Sequence, residues 1–169
     1  MKVITTIIFT LLLSLSNTTE KSQVDFVQNC SAELTVEKNR RFQSANEDGA
    51  EFKLTLKNTS GSTATYNVST SMLNSPCANT KNKSIVAAKN SELNVSFKQN
   101  NSTDLAQKDL NTITLAPGVS KEFIVNVMTI EGTKYNSWGC VEVKATSTNC
   151  NNTSAKIVLS VFVPDPTEE

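Results

Sequence analysis

The residues of this 169-residue chain that could take part in chemistry are four cysteines and several carboxylates. Histidine is absent. Without histidine, the usual hydrolase triads, the commonest general base and nearly all catalytic zinc sites are excluded. A glycosidase would need two carboxylates facing each other across a cleft. The candidates all fall in turns or on polar positions of alternating segments: Glu47, Asp48, Asp104, Asp109, Glu131 and Glu142. Solvated surface carboxylates are the plainer interpretation, so the sequence predicts no enzyme, no cofactor and no metal site.

The four cysteines are Cys30, Cys77, Cys140 and Cys150. Two disulfide bonds and one zinc site are the alternatives for such a set. No two of these cysteines have the C-x2-C spacing that is typical of structural zinc sites. Disulfide bonds are therefore favoured, provided that the chain enters an oxidising compartment.

Trp138, the single tryptophan, and the nearby Tyr135 are the residues that could bind a ligand by stacking. On a carbohydrate-binding face, Trp138 would stack on a sugar ring and Tyr135 would assist it. A tryptophan at the start of a strand is more often part of the core of a β-sandwich. Both interpretations remain open from the sequence.

The chain termini indicate an exported protein. Lys2 precedes an apolar run at 3–13 and small residues follow, which is the order of a secretory signal peptide; an N-terminal anchor helix is the alternative. We assign 1–22 to this signal and a short polar leader, and 165–169 to an acidic tail, which leaves no membrane span in the mature chain. Basic and acidic residues balance at 16 each, so no nucleic-acid partner is expected.

The elements that must position these residues are short strands, because apolar residues recur at a period of two. The predicted strands are 32–36, 52–56, 66–70, 84–88, 93–97, 113–115, 123–127, 141–145 and 157–163. Segments 84–88 and 93–97 are expected to form a hairpin, and turns are expected at 46–49, 58–62 and 116–118. No period of 3.6 is sustained. The chain is thus expected to be all-β, a single antiparallel sandwich of about seven to nine strands.

Three motifs in the second half of the chain carry a family resemblance. They are Leu115-Ala116-Pro117-Gly118, then Phe123-x-Val125-x-Val127, then Trp138-Gly139 leading into Val141-x-Val143-x-Ala145-x-Ser147. This order resembles the immunoglobulin-like and fibronectin type III-like domains of secreted, bacterial proteins. The resemblance implies a sandwich domain over residues 30–164. Its departures are the cysteines and a long insertion between Met72 and Asn111.

The expected topology selects the disulfide pairs. If strands alternate in direction, Cys30 and Cys150 lie at one end of the sandwich, and Cys77 and Cys140 lie at the other. A bond between Cys140 and Cys150 would join the two ends of one strand, far beyond the reach of a disulfide. The sequence therefore predicts Cys30–Cys150 and Cys77–Cys140.

The second face of the last strand also carries apolar residues, Val158 and Phe162. A fully buried strand is the favoured explanation, and a partner docking on that face is the alternative. The predicted function is that of a secreted (extracellular or periplasmic), non-catalytic interaction module. It would bind a protein or cell-surface glycan through loops, at 74–83 and 99–108 among others, or through the last strand. Carbohydrate binding by Trp138 and Tyr135 is the alternative.

Overall fold

A computed structural model describes residues 30–45, 48–74, 90–98, 110–150 and 154–167. These segments contain nine strands, one short 3-10 turn at Glu37–Asn39 and no α-helix. The strands are β1 (Ala32–Val36), β2 (Phe42–Ser44), β3 (Ala50–Asn58), β4 (Ala64–Met72), β5 (Leu93–Lys98), β6 (Leu110–Leu115), β7 (Ser120–Thr129), β8 (Ser137–Ser147) and β9 (Ser154–Val163). The all-β prediction is confirmed.

β3 shows why these segments form half-buried strands. Phe52, Leu54 and Leu56 are fully buried, while Glu51 and Lys53, on either side of Phe52, face outward. In a strand, successive side chains point to opposite faces, so this sequence lays one apolar row on the core. β7 supplies the matching row, and the register places Val125 beside Phe52 and Phe123 beside Leu54.

The strands form two sheets packed as a sandwich. One sheet has the order β1-β3-β7-β5, and the other has the order β2-β9-β8-β4-β6. The first matches the A-B-E-D sheet of an immunoglobulin domain, and β9-β8-β4 matches its G-F-C strands. β6 is the departure, because it follows β5 in the chain yet adds to the opposite sheet beside β4.

All strand pairs are antiparallel except one, since β2 runs parallel to β9. The antiparallel sandwich expected from the sequence is confirmed, and this one parallel pair lies at the edge of the five-stranded sheet. β2 is short and is joined to β1 by the 3-10 turn, so the chain leaves one sheet at β1 and reaches the edge of the other at β2.

Of the predicted hairpin of 84–88 with 93–97, the second segment is a strand, and the hairpin itself stays a prediction. This strand, β5, pairs with β7, from Leu93 beside Thr129 to Lys98 beside Ile124. Segment 84–88 lies outside the described residues, as do 1–22, Cys77 and the loop 99–108; of the loop 74–83, only Asn74 is described.

A polar residue, Asn58, is buried within the apolar interior at the end of β3. Its Nδ2 donates to the carbonyl oxygens of Ser62, at 2.8 Å, and Leu115, at 2.9 Å. Its Oδ1 accepts hydrogen bonds from Ser60 N, Ser60 Oγ and the hydroxyl of Tyr66. With all these bonds made, the burial of the amide costs little, and the turn that follows β3 is tied to β4 and β6.

Candidate functional site

Three aromatic rings pack together on the solvent side of the five-stranded sheet. Their residues, Phe42, Trp138 and Phe162, define what we call the aromatic edge. The β8–β9 register places Trp138 directly beside Phe162. The ring centroids are 4.8 Å apart for this pair and 4.6 Å apart for Phe42 and Trp138, both with tilted planes. Separations in this range are favourable for aromatic pairs.

The aromatic edge lies outside the core because of strand alternation. Val141 and Val143 face the opposite sheet, so Trp138, an odd number of residues away, faces outward. By the same rule Phe162 points away from the core, opposite to its neighbours Val161 and Val163. The three rings thus lie on the outer surface of the five-stranded sheet, where Trp138 contacts both phenylalanines.

Exposure differs strongly among the three rings. Trp138 is 7% exposed, while Phe42 is 44% exposed and Phe162 is half-buried. Trp138 is therefore neither a core residue between the sheets nor an open platform, because Phe42 and Phe162 cover it. The accessible apolar surface is offered by Phe42, with Phe162 and Val158 beside it on β9.

The last strand is thus not fully buried, which corrects the favoured expectation for it. Val158 and Phe162 are half-buried on its outer face, while Leu159 and Val161 on its inner face are wholly buried. The outer face has no second sheet against it in the described segments. The sequence did contain a signal for this outer apolar surface, namely Val158 and Phe162 on the second face of the strand.

Carbohydrate binding by Trp138 and Tyr135 stays a prediction. Tyr135 is 52% exposed in the segment between β7 and β8. The ring contacts found in the described part of the chain join Trp138 to Phe42 and Phe162 and do not involve Tyr135. Stacking of a sugar on Trp138 would require Phe42 or Phe162 to leave its face.

Phe42 is the member of the aromatic edge that sequence reasoning missed. A three-residue strand shows no alternation to detect, and its partner β9 lies far along the chain. The residues before it are Arg40 and Arg41, the only arginines of the protein. Both are exposed, and in the described segments neither lies within 4 Å of a carboxylate oxygen. Arg41 Nε donates to Asn39 Oδ1 at 3.1 Å.

A hollow of about 280 Å³ adjoins this segment. It is lined by Val36, Glu37, Arg40, Gln43, Glu51, Lys53 and Ile124. Lys98 forms an ion pair with Glu51 at 2.6 Å, and Lys53 forms one with Glu122 at 3.0 Å. The Glu122 carboxylate raises the pKa of Lys53 by accepting its hydrogen bond and by its charge. Glu37, three residues before Arg40 in the sequence, lines the hollow and forms no ion pair in the described residues.

One predicted disulfide is confirmed. Cys30 is bonded to Cys150 across 120 positions of sequence, with their Cα atoms 6.0 Å apart. Cys140 is wholly buried and is not a free thiol. Because its predicted partner Cys77 lies outside the described residues, Cys77–Cys140 stays a prediction.

Of the six candidate catalytic carboxylates, three lie in the described residues. Asp48 and Glu131 are exposed, and Glu142 lies 3.5 Å from Lys156 Nζ; Glu47, Asp104 and Asp109 lie outside the described residues. Across the described ranges, no group of three His, Cys, Asp or Glu side chains could hold a metal ion. No helix in those ranges has the length and hydropathy to cross a bilayer.

The fold and its disulfide define an immunoglobulin-like β-sandwich. No protein-family model and no curated protein sequence matches the chain. Among solved structures, a FixG-related protein from Vibrio parahaemolyticus is 14% identical, with 82% of this chain and 99% of that chain covered and a TM-score of 0.45.

Two further structures illustrate the range of similar folds. The E. coli chaperone DraB is 14% identical over 83% of this chain and 57% of its own, with a TM-score of 0.43. A family 123 glycoside hydrolase from Clostridium perfringens is 11% identical over 80% of this chain and 27% of its own, with a TM-score of 0.48. Similarities of this size do not extend to function.

Proposed function

We propose that this chain is a secreted, non-catalytic interaction module that binds a protein or cell-surface material through the aromatic edge beside its last strand. The observation that carries the proposal is the exposure of Phe42, an aromatic side chain that is 44% exposed at the edge of an outer sheet face. Phe42 packs on Trp138, which in turn packs on Phe162, so an apolar surface adjoins it. Aromatic residues and arginine are enriched at protein interfaces, and Arg41 directly precedes Phe42.

The rigidity of this surface favours binding. Phe42 is held by a strand rather than a loop, since β2 is bonded to β9 on one side. A side chain that is already ordered loses less conformational freedom when a partner covers it. The surface also includes the outer face of the last strand, where the sequence has a second set of apolar residues, Val158 and Phe162.

The test compares Phe42→Asp with a matched control, Val119→Asp. Val119 is 46% exposed, so both variants place a carboxylate on an exposed apolar position, but Val119 lies in the turn before β7. Each variant is expressed in the protein's own host, and the native mass of the recovered species is compared with the mass after denaturation. We expect a heavier native species for the parent chain and for Val119→Asp, and the bare chain mass for Phe42→Asp.

The proposal fails if Phe42→Asp retains its partner as the control does, or if the parent chain has only its bare mass under native conditions. Secretion is tested on the same material. Recovery from the medium or the envelope, with a new N-terminus near residue 22, is expected. A protein found only inside the cell with its leader intact would contradict it.

A further inference from the structure

Among the described strands, β2 pairs with β9 along one of its edges. Ser160 N donates to Arg41 O, and Ala45 N donates to Phe162 O, each at 2.8 Å. In a parallel ladder, the backbone N–H and C=O groups of alternate residues point to the same neighbouring strand. Those of Arg41, Gln43 and Ala45 therefore point to β9. The backbone N–H and C=O groups of Phe42 and Ser44 therefore point away from β9. In the described segments no strand pairs with that side of β2.

The two edges of the five-stranded sheet differ in how they are protected. At the β6 edge, Thr112 has a φ of +69° and the pairing with β4 shifts register, so the row of backbone groups is irregular. Irregularity of this kind discourages the addition of another strand. In the described residues, β2 is protected by its shortness, and it contains neither proline nor lysine. Phe42 and Ser44, the residues with free backbone groups, are also exposed.

The charge beside this edge is positive and is not balanced by ion pairs. Arg40 and Arg41 have no carboxylate within 4 Å in the described part of the chain, whereas Lys53 and Lys98 do. Lys38 is a third exposed cation here and Glu37 is the one carboxylate of 37–41, so this segment has three positive charges and one negative charge. A partner that supplies carboxylates would complete this arrangement, and guanidinium groups bind carboxylates in a bidentate geometry.

We propose that the free edge of β2 receives an extended acidic peptide segment of a partner protein as an added strand. The inference rests on the proposed function, because it specifies what the aromatic edge binds. The added strand hydrogen-bonds to the backbone of Phe42 and Ser44 and places an apolar side chain against the Phe42 ring. Since Arg41 and Phe42 point to opposite faces, the residues flanking that apolar side chain carry the carboxylates.

Trp138 gives this proposal a direct readout. It is the only tryptophan, and Phe42 covers one of its faces, so a peptide that contacts Phe42 changes the surroundings of the indole. The probe is a library of short peptides that alternate Val or Ile with Glu or Asp. An otherwise identical library with Lys in place of the acidic residues is the control. Binding is followed by Trp138 fluorescence and by isothermal calorimetry.

Two variants of the protein test the two parts of the contact. Ser44→Pro removes a free N–H and leaves the β2–β9 ladder intact, because proline is tolerated where an edge N–H faces solvent. Arg40→Glu with Arg41→Glu reverses the charge. Lys57→Glu with Lys121→Glu is the matched control, since both lysines are exposed and the net charge changes equally. Thermal unfolding verifies that each variant is folded.

We expect acidic peptides to bind the parent chain and the lysine control variant alike. Ser44→Pro and the arginine double variant should each bind at least about tenfold more weakly. The proposal is overturned if no acidic peptide binds, if the lysine library binds equally well, or if both edge variants retain full affinity. Loss of the native partner in Phe42→Asp together with no peptide binding would leave the proposed function standing and remove this inference alone.

Discussion

The hydroxyl of Tyr66 donates a hydrogen bond to Oδ1 of Asn58, with 3.1 Å between the two oxygen atoms, in the closed interior of the sandwich. Both side chains have no exposed surface. The bond joins the end of β3 to β4, and the other bonds of Asn58 reach the turn at Ser60 and Ser62 and the end of β6 at Leu115. Asn58 thus holds one end of the fold together through its side chain.

Asn58→Ala should destabilise the protein by about 3–5 kcal/mol. The substitution removes the hydrogen bonds of the amide with the Tyr66 hydroxyl, with Ser60 and with the carbonyl oxygens of Ser62 and Leu115, and each buried group left unsatisfied costs about 1–3 kcal/mol. Urea unfolding measures the change. Asn67→Ala, at an exposed position of β4, is the matched control and should stay within about 0.5 kcal/mol of the parent. Equal stability of the two variants would contradict the role assigned to Asn58.

Stability should fall at alkaline pH because of Tyr66. Burial raises the pKa of Tyr66 above its ordinary value of 10.0. As pH rises past 10.0, the unfolded chain loses the phenolic proton before the folded chain does. The unfolded state then binds fewer protons, so the contribution is fully present below that pH and is lost as pH rises through the folded pKa.

The test is the free energy of unfolding of the parent and of Tyr66→Phe across this pH range. Tyr66→Phe should cost about 1 kcal/mol at neutral pH through the lost hydrogen bond, and its stability should fall less steeply at alkaline pH. An identical alkaline slope in both proteins would show that other groups cause it.

Replacing Cys30 and Cys150 together with serine should lower the stability by about 4 kcal/mol. The bond closes a loop with a sequence separation of 120, and the chain-entropy model gives about this value for long loops. The measurement is denaturant unfolding of the double variant beside the oxidised parent. A peptide map without reductant should show Cys77–Cys140 as the second bond, and any other partner for Cys140 would contradict the predicted pairing.

Gly49→Ala should be more damaging than Gly118→Ala, although both glycines have a positive φ, of 90° and 74°. A Cβ at Gly49 would lie 2.6 Å from the carbonyl oxygen of Val127, whereas nothing lies within 4 Å of one at Gly118. The conformational cost is about 1–2 kcal/mol at each site, and the collision adds about 1–3 kcal/mol at Gly49 alone. Thermal unfolding of both variants tests the order, and equal losses would mean that the Val127 backbone yields freely.

Much of the fold was predictable from local alternation. In β3 and in the second half of β8 the apolar residues recur at every second position, as in Val141, Val143 and Ala145, and the period alone places them on the core. The same alternation set the strand directions that brought Cys30 next to Cys150. The positive φ of Gly118 was likewise predictable, because Pro117-Gly118 is a dipeptide that is typical of such a turn.

The aromatic edge was not predictable in full, because it depends on contacts that span the whole chain. Phe42 and Trp138 lie on either side of β9, so their contact depends on the pairing of three distant strands. No local sequence pattern predicts a parallel pair of only three residues. Asn58 was equally hidden. A polar residue followed by Thr, Ser and Gly indicates a solvated turn, and only the tertiary positions of Tyr66 and Leu115 show that it is a buried hydrogen-bonding centre.

The Cys30–Cys150 bond also determines how the domain would respond to tension. A pull applied between residue 30 and the end of β9 passes through the sulfur atoms straight to residue 150, so the chain enclosed between the two cysteines carries no load. Beyond Cys150 the load runs lengthwise along the backbone of β9, whose residues are already extended in the sheet. The domain would act as a short, nearly inextensible link, able to lengthen only by the stretch that follows Cys150.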